Sequence, residues 1–218
     1  MRILLSLGTA ISILAVALLI LFTPLWTHFA LRASGGGNDI LATPQMAADV
    51  SDRTINEVLF GPGTFSFEGP PKVVGGVLVP APFYAADEAS HMRDVRVVLY
   101  GFLLLAMASI VFVVLALIRG SRDAARWKAV SRGGIWLITG LVVLGVFAFV
   151  AFDAVFTLFH EIFFPGGNWS FPATSNLIRL YPEPFWELSS AALGILALVG
   201  GIAIWFLARR RAAALKAA

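Results

Sequence analysis

Cysteine is absent from the chain, and charged residues are scarce in it. The absence of cysteine excludes disulfides, thiolate nucleophiles and thiolate metal sites. Charged residues form 13% of the sequence and hydrophobic residues 59%, whereas soluble domains contain about 25% and about 45–50% respectively. This composition predicts an integral membrane protein. The net charge of +3 does not indicate nucleic-acid binding, because the basic residues adjoin hydrophobic segments, as membrane-topology signals do.

Several catalytic and ligand-binding motifs are also missing. The sequence contains no P-loop and no dinucleotide-binding fingerprint, and no G-x-S-x-G nucleophile elbow surrounds Ser90. His160-Glu161 begins like the HExxH helix of zinc proteases, but Phe164 stands where the second histidine is needed. Besides His91 and His160, the chain has only His28. The sequence therefore predicts neither a metal nor a cofactor.

Four segments are long enough and apolar enough to cross a membrane. Arg2 and His28 enclose 25 uncharged residues, and the runs 97–118, 133–152 and 188–208 contain 22, 20 and 21 residues. A hydrocarbon core of about 30 Å requires roughly 20 helical residues. The first run is longer than the apolar region of a signal peptide, about 7–15 residues, so we expect it to be retained as a helix.

The predicted fold class is a mainly α membrane protein with four transmembrane helices and a small extracytoplasmic cap that contains short β-strands. In chain order we predict transmembrane helix 1 (1–27), the cap (28–96), transmembrane helix 2 (97–118), a cytoplasmic loop (119–132), transmembrane helix 3 with an outer extension (133–164), a second outer loop (165–187), transmembrane helix 4 (188–208) and a cytoplasmic tail (209–218).

The distribution of Lys and Arg predicts the orientation, because cytoplasmic loops carry an excess of both. Loop 119–132 contains five of them, the C-terminal tail four and the N-terminus one. Segments 28–96 and 153–187 contain twelve of the thirteen acidic residues. We therefore expect both termini in the cytoplasm and both of these segments outside.

The first outer segment is long enough to fold into a cap. Thr43-Pro44 is a suitable N-cap and N1 pair for a short helix that ends before Gly61. Residues 64–67 alternate with period two and residues 73–79 form a β-prone run, so we expect a small sheet. The aromatic residues that we expect the cap to bury are Phe60, Phe65, Phe67, Phe83 and Tyr84.

Two helix ends each carry a histidine. Asp87 can cap a helix that continues through His91 into transmembrane helix 2. His91 precedes Val97 by six residues, about 9 Å of helical rise, and His160 follows Phe152 by eight residues, about 12 Å of rise. Headgroup layers occupy roughly 5–8 Å on each side of the hydrocarbon. Both imidazoles are thus predicted near headgroup level, where two titratable bases could act on a lipid ester.

Helical spacing supplies an acid for each histidine. Asp94 lies three residues after His91, and Asp153 lies seven residues before His160, so each acid can share a helix face with its histidine. A carboxylate in that position could orient the imidazole, fix its tautomer and raise its basicity. The alternative is that each group is an interfacial polar residue in contact with phosphate or water. Two such groups at one depth favour a functional site.

These motifs, in this order, resemble a known enzyme family. HMRDV at 91–95 precedes helix 2, FHEIFF at 159–164 follows helix 3, and NWSFP at 168–172 and LIRLYPEPFW at 177–186 precede helix 4. Together with four predicted spans and a long first outer loop, they resemble the bacterial lipoprotein intramolecular transacylases. The resemblance covers nearly the whole chain in layout, and the quoted segments in motif detail.

The resemblance implies an enzyme of the bacterial cell membrane whose partners are membrane lipid and a diacylglyceryl-modified lipoprotein. The implied reaction moves an acyl chain from the sn-2 glyceryl oxygen to the α-amino group of the lipoprotein's N-terminal cysteine and gives the lyso-form. The family's two histidines at the outer cap–membrane boundary match His91 and His160, and we favour His160 as the base. Asp94 and Asp153 are supporting candidates. The aromatic side chains that we expect to wall the pocket are Phe163, Phe164, Trp169, Phe171, Tyr181 and Trp186.

Two other interpretations of these residues stay open. A non-catalytic membrane protein, whose cap binds a partner or lipid, would tolerate the loss of both histidines. A histidine-dependent lipid hydrolase would release free fatty acid. Mass spectrometry of an N-terminal lipopeptide separates these cases, because only transacylation keeps the acyl count and places an acyl group on nitrogen. The sequence makes no prediction of oligomeric state.

Overall fold

The computed structural model describes residues 1–217, and for residues 72–74 it describes the backbone alone. Eight α-helices and one antiparallel pair of strands form this part of the chain. In chain order they are α1 (Arg2–Leu21), α2 (Pro24–Ser34), α3 (Pro44–Leu59), β1 (Lys72–Val74), β2 (Val77–Val79), α4 (Ala86–Arg119), α5 (Ala124–Val150), α6 (Phe152–Phe163), α7 (Asn176–Leu180) and α8 (Glu183–Ala217).

Helices α1, α4, α5 and α8 are long and apolar enough to cross a membrane. This confirms the predicted class, a mainly α protein with four membrane-spanning helices and short strands. With 34 residues, α4 is longer than a span requires. Its apolar run begins at Val97, and residues 86–96 before it carry five charged side chains. We therefore place these first eleven residues of α4, which include His91, outside its membrane-spanning segment.

Transmembrane helix 1 ends earlier than predicted. The prediction extends it to residue 27, but α1 ends at Leu21, and a new helix begins at Pro24. A proline disfavours the helical conformation of the residue before it, and Thr23 is accordingly extended, with ψ 145°. The proline therefore divides one predicted helix into two.

Helix 3 is also divided, without a proline or glycine to mark the place. The prediction gives one helix over 133–164, but α5 ends at Val150, and Ala151 has a non-helical backbone, with φ −147° and ψ 59°. The short helix α6 then begins at Phe152 with Asp153 in its first turn, where a carboxylate stabilises a helix N-terminus. His160 consequently lies on a separate helix of 12 residues and not on an extension of the span.

The chain folds as two compact units. The bundle unit contains residues 1–21, residues 100–153 and the chain from Ser190 onward. Within it, the Ser6 hydroxyl donates to the Ala129 carbonyl oxygen at 2.7 Å. Gly133 approaches α1 so closely that a Cβ there would lie 2.4 Å from the Ser6 carbonyl oxygen. Small residues thus allow α1 and α5 to pack backbone to backbone, as is typical of membrane helices.

The site unit contains residues 22–99 and 154–189. The predicted helix of this segment is confirmed as α3, because the Thr43 side chain accepts from the Met46 amide and Pro44 occupies N1. The predicted sheet is a hairpin in which β1 pairs antiparallel with β2. Residues 64–67 form no strand; the chain beside them is held by one isolated bridge between Glu68 and Pro82.

The core of the site unit consists of aromatic side chains, and the buried hydroxyl groups of two tyrosines are hydrogen-bonded within it. Thr54 Oγ1 and Tyr84 Oη lie 2.8 Å apart, and Tyr181 Oη donates to Ser51 Oγ at 3.0 Å. Burial is the main cause that raises the pKa of Tyr181 to about 12 and the pKa of Tyr84 well above its usual value. Of the aromatic residues expected here, Phe65, Phe83 and Tyr84 are buried, Phe67 is half-buried and Phe60 is exposed.

Candidate functional site

The two predicted histidines meet within the site unit. Their ring centroids lie 6.0 Å apart with an interplanar angle of 28°. His91 projects from the N-terminal part of α4 and is 6% exposed, whereas His160 projects from α6 and is half-buried. Side chains 69 positions apart in the chain therefore present two imidazoles to one small volume.

A backbone carbonyl orients the ring of His160. Its Nδ1 lies 2.8 Å from the carbonyl oxygen of Phe156, one turn earlier in α6. A carbonyl oxygen can only accept a hydrogen bond, so Nδ1 must carry the proton and donate it. The neutral ring then keeps its lone pair on Nε2. The structure thus assigns the tautomer that leaves Nε2 available as a base.

His91 has no comparable partner. Its Nδ1 is buried and makes no hydrogen bond with any of residues 1–217. Leaving a buried polar atom unpaired costs about 1–3 kcal/mol, and such atoms concentrate where a protein has a catalytic role or binds something. The atom is therefore available to a substrate group.

Aromatic rings enclose both histidines. Phe164 lies 4.9 Å from His91 and 5.5 Å from His160, and it is 5% exposed. Phe171 lies 5.6 Å from His91, and Trp169 lies 5.0 Å from His160, measured between ring centroids. Two further rings, which were not predicted as pocket residues, contact His160: Phe156 at 4.1 Å and Phe159 at 5.4 Å between ring centroids.

This enclosure keeps both imidazoles neutral at physiological pH. Burial, followed by the nearby His160, lowers the pKa of His91 to about 4, and the charge of Asp94 opposes this shift. Burial also lowers the pKa of His160, while the hydrogen bond to the Phe156 carbonyl raises it. Desolvation disfavours the charged imidazolium in both cases. Each ring can therefore accept a hydrogen bond at one nitrogen and donate one at the other, and neither carries the second proton of an imidazolium at rest.

Asp94, on α4, forms a hydrogen bond to the loop that contains Trp169. Its Oδ2 accepts a hydrogen bond of 2.6 Å from Asn168 Nδ2, and the next residue is Trp169, which packs on His160. Asp94 was predicted to orient His91; its hydrogen bond goes to Asn168, and its effect on His91 is electrostatic. Asn168 itself was not predicted as a site residue, although it opens the NWSFP motif.

Glu88 is a second tie, and sequence reasoning missed it. This carboxylate is 3% exposed. Its Oε1 accepts from the Ser175 hydroxyl and from the Leu177 amide, and its Oε2 accepts from the Ala85 amide at 2.6 Å. The bond to Ala85 follows the capping-box pattern, with an acid three residues after the N-cap, so a sequence signal existed. Glu88 thereby holds the start of α7 against the first turn of α4.

The remaining predicted residues lie elsewhere. Tyr181 and Trp186 belong to a second aromatic cluster with Phe185, in which Trp186 Nε1 donates to the Tyr181 carbonyl oxygen at 2.9 Å. Phe163 is 46% exposed and packs on Phe159. Of the six predicted pocket residues, Phe164, Trp169 and Phe171 pack around the histidines. Their role as a pocket wall and the supporting role of Asp153 stay predictions.

Within residues 1–217, no group of three or more His, Cys, Asp or Glu side chains is arranged to hold a metal ion. The third histidine, His28, lies 2.9 Å from Asp52. The arrangement at His91 and His160 is suited to proton transfer and hydrogen bonding in a water-poor pocket.

One family model matches more than half of the chain. Residues 71–186 match the family model described as lipoprotein intramolecular transacylase Lit, and this range includes both histidines. An uncharacterised protein of Aquifex aeolicus (strain VF5) is 31% identical over 120 residues, 55% of this chain and 53% of that protein. The match thus spans about half the length of that curated relative.

Solved structures have the same fold. The membrane-integral lipoprotein intramolecular transacylase Lit from Bacillus cereus superimposes with a TM-score of 0.82, at 20% identity, over 100% of this chain and 96% of that one. A structure of a mutant of the same Bacillus cereus protein gives a TM-score of 0.76 at 19% identity, over 100% and 94% of the two chains. At this identity the likeness shows the fold alone.

Proposed function

Because this chain belongs to the lipoprotein intramolecular transacylase family, we propose that it moves an acyl chain within a diacylglyceryl-modified lipoprotein. The amine nitrogen of the N-terminal cysteine attacks the carbonyl carbon of the sn-2 ester. A C–N bond forms, the bond from the carbonyl carbon to the glyceryl oxygen breaks, and the amine proton ends on that oxygen. The product is an N-acyl, S-monoacylglyceryl lipoprotein, the lyso-form.

His160 acts as the general base. The observation that carries this assignment is the 2.8 Å contact between its Nδ1 and the Phe156 carbonyl oxygen, which leaves the lone pair on Nε2. An α-amino group has a pKa of about 7.7–8.0, so part of it is the neutral, nucleophilic amine near neutral pH. Its N–H becomes strongly acidic as the C–N bond forms, and the neutral imidazole of His160 can then accept the proton. The same Nε2 then returns the proton to the departing glyceryl oxygen, as histidine does in acyl-transfer triads.

His91 acts as a neutral hydrogen-bond donor to the developing oxyanion. Its unpaired, buried ring nitrogen and its pKa of about 4 support this role, because an imidazole in that environment stays uncharged and can still donate. A donor that is fixed in a dry pocket before the reaction stabilises a tetrahedral intermediate more strongly than water does. A carbonyl group held beside both rings, 6.0 Å apart, would be within reach of both.

The aromatic wall favours transfer over hydrolysis. Phe164, Trp169 and Phe171 pack around the imidazoles and limit the access of water to the ester. Amine and ester belong to one substrate molecule, so the enzyme's main task is to hold them in a reactive geometry, and effective molarities of about 10⁵ M or more make this sufficient. No covalent enzyme intermediate is needed.

We also propose the site's side of the membrane. The excess of Lys and Arg in 119–132 and after Ala208 supports cytoplasmic termini, and it would place residues 28–96 and 153–187, with both histidines, outside. Lipoprotein diacylglyceryl groups anchored in the outer leaflet would then reach the pocket from the bilayer.

Expression in a bacterium that accumulates diacylglyceryl lipoproteins tests the proposal. We expect mass spectrometry of an N-terminal lipopeptide to show an unchanged acyl count, with one acyl group moved to the cysteine nitrogen. A lipopeptide that has lost one acyl chain, with free fatty acid released, would support the hydrolase hypothesis instead. An unmodified diacylglyceryl peptide at normal protein levels would support the partner-binding hypothesis.

A further inference from the structure

A basic cleft lies in the bundle unit, and neither His91 nor His160 lines it. It has a volume of about 600 Å³ and is lined from the first residues of α1, the first turns of α5 and the last turns of α8. The residues that line it are Arg2, Ala125, Lys128, Ser131, Arg132, Arg209, Ala212, Ala213 and Lys216.

The cleft concentrates positive charge, and no acidic side chain of residues 1–217 lines it. Five of its lining residues are Arg or Lys and none is acidic. The nearest acid along the chain, Asp123, is engaged with Arg126 at 3.4 Å and caps the Ala125 amide. Among residues 1–217, the ion pairs found include none of the five cations of the cleft.

Two of these cations come from different helices. Lys128 belongs to α5 and Lys216 to α8, and both line the same cleft. Like charges that share one concavity repel each other. A bound anion would offset this repulsion, so the arrangement is the one expected of a site that receives an anion.

The topology rule explains why cations collect at this end of the bundle, but not why half of them converge. Ten Lys and Arg residues lie in the N-terminus, loop 119–132 and the C-terminal tail, and five of them line one cleft. Of the other five, Arg119, Arg122 and Arg211 are exposed and do not line the cleft. This difference provides a matched set for comparison.

We propose that this cleft binds the phosphate group of an anionic membrane lipid. The spans that frame it continue directly into exposed apolar surface, with Ile3 and Leu4 on α1 and Leu207 on α8 at least 60% exposed. A lipid whose headgroup occupies the cleft can therefore lay its acyl chains along these helices. Basic pockets between spans bind anionic headgroups in this manner. The inference is independent of the proposed transacylase activity.

The test uses the full-length protein purified in detergent and titrated with phosphatidylglycerol or phosphatidylcholine, with bound lipid counted by native mass spectrometry. We expect preferential retention of phosphatidylglycerol. The variant Lys128→Gln/Arg132→Gln/Lys216→Gln should bind it at least about tenfold more weakly, since each basic residue near a membrane contributes about 1 kcal/mol to binding of anionic lipid. The control Arg119→Gln/Arg122→Gln/Arg211→Gln removes the same charge from the same end and should retain wild-type binding.

Thermal unfolding in lipid-free detergent checks that both triple variants are folded, and a second arm distinguishes the sources of phosphate. Inorganic phosphate at millimolar concentration should not displace phosphatidylglycerol. Displacement by inorganic phosphate would assign the cleft to a soluble anion and overturn the lipid proposal. Equal losses in both triple variants, or equal retention of the two lipids by the wild type, would also overturn it.

Discussion

The two histidines project from helices that differ in burial. The N-terminal part of α4 is anchored: His91, Met92 and Glu88 are buried. Helix α6 has no buried residue, and Leu158, Phe159, Ile162 and Phe163 are between 46% and 62% exposed. His91 thus lies on a buried helical segment, whereas His160 lies on an exposed helix, where a hydrogen bond to the Phe156 carbonyl and neighbouring aromatic rings hold its ring. The difference supports the proposed division of labour, with a fixed neutral donor on α4 and a base on α6.

Removal of either imidazole should give the largest effect. We expect His160→Ala and His91→Ala each to lower turnover by about 10²- to 10⁴-fold, the range for a general acid–base group. The double variant should be little worse than either single variant, because groups that act as a unit are non-additive. Single-turnover N-acylation at matched levels of folded protein measures this. Near-normal N-acylation by the folded double variant would contradict the catalytic assignment.

Glutamine substitutions sharpen the comparison between the two roles. An amide keeps a neutral donor but cannot act as a base near pH 7. We expect His91→Gln to retain at least about tenfold more activity than His160→Gln, since one hydrogen bond in a transition state is worth about 1–3 kcal/mol. Initial rates of N-acylation on a synthetic diacylglyceryl lipopeptide provide the measurement. The reverse order would exchange the two roles.

The pair Asp94–Asn168 should have a smaller, coupled effect. Its 2.6 Å hydrogen bond fixes the residue before Trp169, so Asp94→Asn and Asn168→Ala should each lower the rate several-fold. A double-mutant cycle should show a coupling of about 0.5–1.5 kcal/mol, the usual contribution of one hydrogen bond. Glu161→Gln, which neutralises an exposed acid on α6, is the control and should leave the rate unchanged. Strictly additive losses would exclude the proposed tie.

Stability against pH should show the smallest effect, and it separates the buried histidine from the others. The pKa of His91 is about 4 in the folded protein and 6.5 without perturbation. Between these values the unfolded chain binds more protons, so the free energy of unfolding should fall as pH is lowered from about 6.5 to about 4. His160, whose pKa is also lowered, adds in the same direction.

Thermal unfolding in detergent across that pH range measures the effect. His91→Gln should flatten the pH dependence of the unfolding temperature. An unchanged slope in His91→Gln would show that the ring is not desolvated in the folded protein.

The approach of His91 to His160 was predictable from the sequence because two features of residue spacing, span length and helical rise, pointed to the same place. Apolar runs of spanning length and the helical rise predicted both histidines at a similar depth. For His160 the rise assumed an unbroken helix 3, whereas the helix ends at Val150 and a new one begins at Phe152. The cap at Thr43 was a local signal. The cap predicted at Asp87 was wrong, because α4 begins at Ala86 and Asp87 lies within its first turn. Such features depend on residue spacing along one helix, which the sequence contains directly.

What the sequence did not reveal depends on contacts between distant segments or on weak local signals. The Asp94–Asn168 bond joins residues 74 positions apart, and the contact of Glu88 with Ser175 spans 87; periodicity carries no information about such pairs. The break at Ala151 has no proline or glycine. Tyr181 and Trp186 belong to a second cluster that composition cannot distinguish from the pocket wall, since both sets are aromatic and lie in one loop region.

The most direct test of the account follows one acyl chain through a single turnover. A diacylglyceryl lipopeptide with isotope label only in its sn-2 chain is mixed with an unlabelled lipopeptide of different peptide mass, and wild-type protein is compared with His160→Gln. We predict that the label moves to the cysteine nitrogen of its own peptide with wild-type protein, and that His160→Gln forms this product at least about 10²-fold more slowly. Label in free fatty acid or on the second peptide, or an unimpaired His160→Gln variant, would contradict intramolecular transfer with His160 as the base.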